Sequence, residues 1–93
     1  MKYGMNLLLW TDDAARDEFA PTLERLKHLG YDGVEVPVFD LDPQRYRALG
    51  RRLDDLGLAR TAVTVRSAQD NPIAADRAVR QLGVDRTRAA LDC

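Results

Sequence analysis

The sequence has one cysteine, one histidine, one tryptophan, and only 6% aromatic residues. Its single thiol, Cys93, cannot form an internal disulfide, so packing alone must hold the fold, and this usage suits a cytoplasmic protein. Long hydrophobic runs are also missing. The longest, Leu7 to Trp10, falls far below the roughly 18–20 apolar residues that cross a bilayer. The opening Met1-Lys2-Tyr3-Gly4 lacks the apolar stretch and small-residue cleavage site of a secretory leader. Neither charge dominates, because 14 Lys and Arg stand against 15 Asp and Glu. That balance gives no basic stripe for nucleic acid and no acidic tail for a basic partner. No Gly-rich phosphate loop, nucleophile elbow or zinc motif occurs.

What is present is a globular composition, 45% hydrophobic and 31% charged over 93 residues. It suits one small domain over residues 1–93, with no linker, and a modest core, since a chain this short hides only about 60–65% of its unfolded surface. Short apolar runs alternate with longer amphipathic ones. Residues 3 to 10 (YGMNLLLW) suit a buried strand. A helix is expected from Asp17, which can cap it, with Phe19, Leu23 and Leu26 on one face, Pro21 tolerable only near its first turn, and Gly30 just past its end. Tyr31 to Val38 is a second strand, closed by Pro37. Asp42-Pro43 reads as a cap and first helical residue, with Tyr46, Leu49, Leu53 and Leu56 on one face and Gly57 as terminator. Leu58 to Val65 is a β-branched third strand, and Ser67 to Pro72 a loop. A last helix from about Ala74 carries Val79, Leu82, Ala90 and Cys93 on a weaker face that Gly83 interrupts. The order is β-α-β-α-β-α.

Parallel strands joined by helical crossovers take one hand, so three sequential strands place their helices on one sheet face. Alternation assigns Met5, Leu7, Leu9, Val34, Val36, Thr61, Val63 and Val65 to that face. The opposite face receives Gly4, Asn6, Leu8, Trp10, Gly33, Glu35, Ala62, Thr64 and Arg66, a mixture of small and polar groups. Three parallel strands also leave two open edges, and Cys93 falls inside an Ala-rich helical stretch. The expectation is the first three βα units of a TIM (β/α)8 barrel, which needs about 250 residues.

The segments YGMNLLLWT, LKHLGYDGVEVP, DDLGL before a β-branched strand, and NPIAADRAVRQLGVDRTRAALDC together resemble the sugar isomerase/epimerase family. Its members have a xylose-isomerase-like TIM barrel and include the D-tagatose 3-epimerase and D-allulose 3-epimerase group. The resemblance covers nearly all of this chain and about the first third of a member. It implies a sugar or sugar-like substrate and a divalent metal (Mn, Co or Mg) held by two glutamates, an aspartate and a histidine. In the epimerases those glutamates exchange the proton beside the carbonyl, and the metal steadies the enediolate. The ligands stand on later strands, so this chain is expected to hold no metal, no catalytic residue and no activity alone.

Four residues are candidates for lining a sugar pocket. Glu35, a carboxylate in the apolar GVEV, is costly to bury without partners; it either lines the pocket, as the resemblance implies, or forms a structural pair with a loop or an arginine. Asn6 can bond a sugar hydroxyl, although characterised epimerases often have an aromatic there. Trp10 can stack on a sugar or simply pack. Thr64 is a weaker candidate, and its neighbour Arg66 reads equally as a solvated loop residue. Glu24 and His28, spaced i and i+4, fall short of a metal site and suit an exposed helix face. The competing class is a small non-enzymatic α/β module that self-associates through its open sheet face. The polar groups on that face disfavour it as a dry interface.

Overall fold

Three short parallel strands order the computed structural model, which describes residues 1–93. They are β1 (Gly4–Asn6), β2 (Gly33–Pro37) and β3 (Ala59–Val63), side by side in sequence order in an unclosed sheet. Between and after them run α1 (Ala20–His28), α2 (Pro43–Leu56) and α3 (Arg77–Leu91). The expected β-α-β-α-β-α order is therefore present. Val34 and Val36 of β2 are buried with Leu23 and Leu26 of α1 and with Tyr46, Leu49 and Leu53 of α2. The radius of gyration is 14.9 Å, where a compact chain of this length would have about 12 Å.

The second βα unit follows its sequence signals closely. Asp42 accepts the Gln44 N–H at 3.0 Å, Pro43 opens α2, and Gly57 ends it in the left-handed region at φ 69°. Gly30 likewise takes φ 98° after α1. The start of α1 differs from expectation. Asp17 opens a 3₁₀ turn (Asp17–Phe19) and caps nothing with its side chain. Its carboxylate instead meets the Arg52 guanidinium of α2 at 3.3 Å.

The first strand is shorter than its apolar run. β1 stops at Asn6 because the Asn6 side chain accepts the Leu8 N–H at 3.0 Å and caps a 3₁₀ turn (Leu7–Leu9). Strand alternation ends there: Leu7 is fully buried while Leu9 and Trp10 are exposed.

In β3 the two faces are exchanged relative to the expected alternation, a shift of one residue. Asn6 pairs with Glu35 and Glu35 with Thr61, so Thr61 and Val63 share the face of Asn6 and Glu35. Arg60 and Ala62 take the helix side with Met5, Val34 and Val36. Because side chains alternate with period two, a one-residue slip exchanges the whole strand's faces.

The loop after β3 and the last helix also depart from expectation. Ser67 and Asp70 form a capping box around a 3₁₀ turn (Ala68–Asp70), and α3 starts at Arg77, capped by Asp76 through Ala78 and Val79 N–H. Val79, Ala90 and Cys93 are only half-buried and Leu82 is exposed. The buried residue is Gly83. Rather than interrupting a face, it is the contact point, where a Cβ would lie 2.4 Å from the Asp70 carbonyl oxygen and 2.6 Å from Pro72 N.

Candidate functional site

The face of the sheet turned away from the helices is built in two levels. Gly4, Gly33 and Ala59 stand in register and give a level almost without side chains. One step toward the carboxyl ends of the strands come Asn6, Glu35 and Thr61, also in register. The two levels border an open depression of about 340 Å³. The depression begins at Lys2, Tyr3 and Asp32, before the strands, and reaches up to the middle of β2 and β3 at Glu35 and Thr61, whereas barrel enzymes keep their sites at the carboxyl ends.

Glu35 is half-buried at the centre of the upper level. Asn6 Nδ2 donates to its Oε1 at 3.0 Å, and Thr61 Oγ1 donates to its Oε2 at 3.2 Å. It takes part in no ion pair. Its hydrogen-bond partners are therefore neutral donors, and Lys2 and Arg60, which border the same depression, form no ion pair with it. An ionised carboxylate offers about four acceptor positions, so two partners leave capacity on each oxygen. Asn6 is fixed from both ends, since its carbonyl oxygen takes the Leu8 N–H while its amide donates to Glu35.

The other two candidates stand elsewhere. Thr64 lies past the end of β3, where its hydroxyl donates to the Val38 carbonyl at 2.7 Å and accepts from Arg66 Nη2 at 2.6 Å. It braces a loop and does not reach Glu35. Trp10 follows the 3₁₀ turn and is half-exposed beyond the strand. The sequence reading missed Thr61. Its signal was available only from register: the third residue of β3 faces the third residue of β2.

Two charged clusters brace the loops at the same end. Arg45 joins Asp13 and Asp40, and those hydrogen bonds, Asp13 foremost, hold its guanidinium firmly in the charged form. Asp70 is buried, accepts the Ser67 N–H and hydroxyl, and meets Arg86 at 3.0 Å and Arg66 at 3.5 Å. The Ser67 N–H first, then Arg86, lower its pKa to about 2. These contacts tie α3 and α2 to the loops, and of the buried donors in the two clusters Arg66 Nε is left without a partner.

No three His, Cys, Asp or Glu residues gather where they could hold a metal ion. Glu24 and His28 are exposed on α1. The divalent metal implied by the resemblance thus lacks a fitting ligand set here, since the carboxylates lining the depression are Glu35 and Asp32, and Asp32 already accepts the Tyr3 N–H at 2.8 Å. No helix is long and apolar enough to cross a membrane.

With 26% identity and a TM-score of 0.78, the chain superposes on a D-psicose 3-epimerase solved in the presence of D-fructose. It is built like a third of a sugar 3-epimerase. The match covers 98% of this chain and 32% of the epimerase. A D-allulose 3-epimerase from Methylomonas sp., in complex with D-allulose, gives 25% identity and the same TM-score of 0.78, over 99% of this chain and 32% of that one. The chain thus spans about a third of these epimerases, and its open three-stranded sheet matches part of their TIM barrel. No protein-family model and no curated protein matches it.

Proposed function

We propose that residues 1–93 form part of the wall of a sugar isomerase or epimerase barrel, with Glu35 accepting hydroxyl hydrogens from a sugar or sugar-like ligand. One observation carries this reading: Glu35 stands on the concave face, held by Asn6 and Thr61, with no cation to neutralise it. A purely structural carboxylate would be expected to face a cation or several backbone N–H groups. Asn6 acts here as the group that orients Glu35, and Trp10 as a rim residue within reach of a bound ring.

The reaction is proton transfer next to a carbonyl, in the carbohydrate metabolism of the cytoplasm. These three strands bring neither the metal ligands nor the paired acid and base, so the 93 residues alone turn over no sugar. Residues outside them would hold the divalent metal, which supplies Lewis acidity to the carbonyl.

The test is a chimera in which residues 1–93 replace the matching third of the Methylomonas D-allulose 3-epimerase. The chimera is expected to epimerise D-allulose. Glu35→Gln is expected to reduce turnover by about tenfold, the equivalent of one charge-assisted hydrogen bond. A folded chimera without activity, or one indifferent to Glu35→Gln, would overturn the proposal.

A further inference from the structure

We infer that Arg66 and Arg86 hold an oxyanion, the phosphate or carboxylate of a ligand, between the loops that follow β2 and β3. Both guanidiniums reach the same oxygen of Asp70, Arg86 at 3.0 Å and Arg66 at 3.5 Å. The other oxygen of Asp70 is taken by the Ser67 N–H and hydroxyl. One carboxylate thus draws two cations together and leaves one positive charge in excess. Neither arginine pairs with any other carboxylate. Asp40 borders the same cavity, but Arg45 binds it and bridges it to Asp13, which in turn meets Arg16. That second cluster is balanced, two arginines against two aspartates.

Arg66 is the more telling of the two cations. Its side chain is only 13% exposed, and a buried charge is costly unless it is paired and hydrogen-bonded. Yet its ion pair is the longer one, its short bond goes to the neutral Thr64 hydroxyl, and its Nε has no partner. Two guanidiniums that converge on one oxygen also repel each other. An anion beside them supplies the second negative charge, and the planar fork of N–H donors on each arginine suits the oxygens of phosphate or carboxylate.

There is room for such a group. A cavity of about 380 Å³ is lined by Arg66 and Arg86 and by the apolar Phe39, Leu41 and Val65. Its walls come from the β2–α2 loop, the β3–α3 loop and the middle of α3, so it lies between two adjacent βα units. It stands past the carboxyl ends of β2 and β3, the end at which barrel enzymes bind their ligands. The arginines fix the charged end of a small ligand, and the apolar side chains take its carbon atoms. Joined to the sugar-site reading, on which this last step alone rests, the substrate class becomes an acidic sugar, either a sugar phosphate or a sugar acid.

Inorganic phosphate titrated into the isotope-labelled chain tests the site, with sodium chloride at equal ionic strength as the control. The side-chain N–H signals of Arg66 and Arg86 in the magnetic resonance spectrum are expected to shift saturably with phosphate and not with chloride. Arg86→Gln is expected to weaken phosphate binding about tenfold, the worth of one charge-assisted hydrogen bond. Acetate tells the two sources apart: saturation by phosphate alone marks a phosphate ester, and comparable saturation by acetate marks a carboxylate. Shifts that follow ionic strength alone overturn the inference, and so does an unchanged phosphate affinity in Arg86→Gln. Should circular dichroism show the isolated chain unfolded, melting of the D-allulose 3-epimerase chimera decides. Phosphate should then raise the melting temperature of the chimera more than that of its Arg86→Gln variant, and equal rises refute the site. No measurement here reads sugar turnover, so an inactive chimera would sink the Glu35 reading and leave the anion site standing.

Discussion

Asn6 Nδ2 sits 3.0 Å from Glu35 Oε1 across the seam between β1 and β2, while Asn6 Oδ1 holds the Leu8 N–H at the same distance. One amide thus ends a strand and aims a carboxylate. Asn6→Asp keeps the acceptor for Leu8 but sets two carboxylates together, which raises the pKa of one of them. We expect the variant to lose about 1 kcal/mol at neutral pH, within the range for an unmade hydrogen bond, and to recover as acidification protonates the pair. Thermal melting of both proteins at neutral and mildly acidic pH measures this. A loss independent of pH would mean that the turn, and not the charge pair, governs the effect.

Glu35→Gln tests the same carboxylate from the other side. Its partners, Asn6 and Thr61, are neutral, so neutralising it strands no cation. Stability should change by about 1 kcal/mol or less, against the roughly 3–5 kcal/mol lost when a buried ion pair is broken. Thr61→Val removes one donor and should lower turnover in the chimera, whereas Thr64→Val should leave turnover unchanged. Equal losses from both threonine variants would contradict the observed register.

Gly83→Ala opposes helix propensity to packing. Alanine is favoured in a helix by about 1 kcal/mol, but its Cβ would press on the backbone of Asp70, Asn71 and Pro72 at 2.4–2.9 Å. Overpacking of that kind costs about 1–3 kcal/mol, and backbone cannot turn aside as a side chain can. The variant should melt lower and show faster amide exchange along α3. A variant that melts higher would mean that α3 is not docked at this point.

Asp70 gives the pH dependence. Its carboxyl is held at about 2, below the ordinary 3.8, chiefly by the Ser67 N–H and then by Arg86. A depressed pKa contributes stability that is fully present above the unfolded value and is lost as pH falls through the folded one. The Asp70→Asn variant should therefore melt lower than the parent at neutral pH. The two curves should converge as pH drops from about 4 toward about 2. Melting curves that run parallel across that window would remove Asp70 as the cause.

Sequence patterning revealed most where local chemistry decided the structure. Asp42, Pro43 and Gly57 bound α2 because a cap, a missing N–H and a left-handed glycine each act within a turn or so. It failed where distant partners decided. The apolar Leu7–Leu9 looks like strand, yet the Asn6 side chain turns it into a 3₁₀ turn. In β3 both faces are exposed apart from half-buried Val63, so no strong apolar contrast fixed its phase, and Thr64 stood in for Thr61. Gly83 seemed to weaken a helix because its close neighbours are 11 to 13 residues earlier in the chain. Glu35, by contrast, was legible because a carboxylate amid valines needs partners wherever it lies.

Gly33 sets the scale of everything above it. A Cβ there would stand 2.7 Å from the Ala59 carbonyl oxygen, and the obstacle is backbone. Even alanine would have to push β3 sideways, and the shift would pass up the ladder to the next inward pair. The gap that lets the Thr61 hydroxyl reach Glu35 is thus gauged by a hydrogen atom where every other residue would carry a carbon. Enlarging that one position would detune the carboxylate without touching any group that binds it.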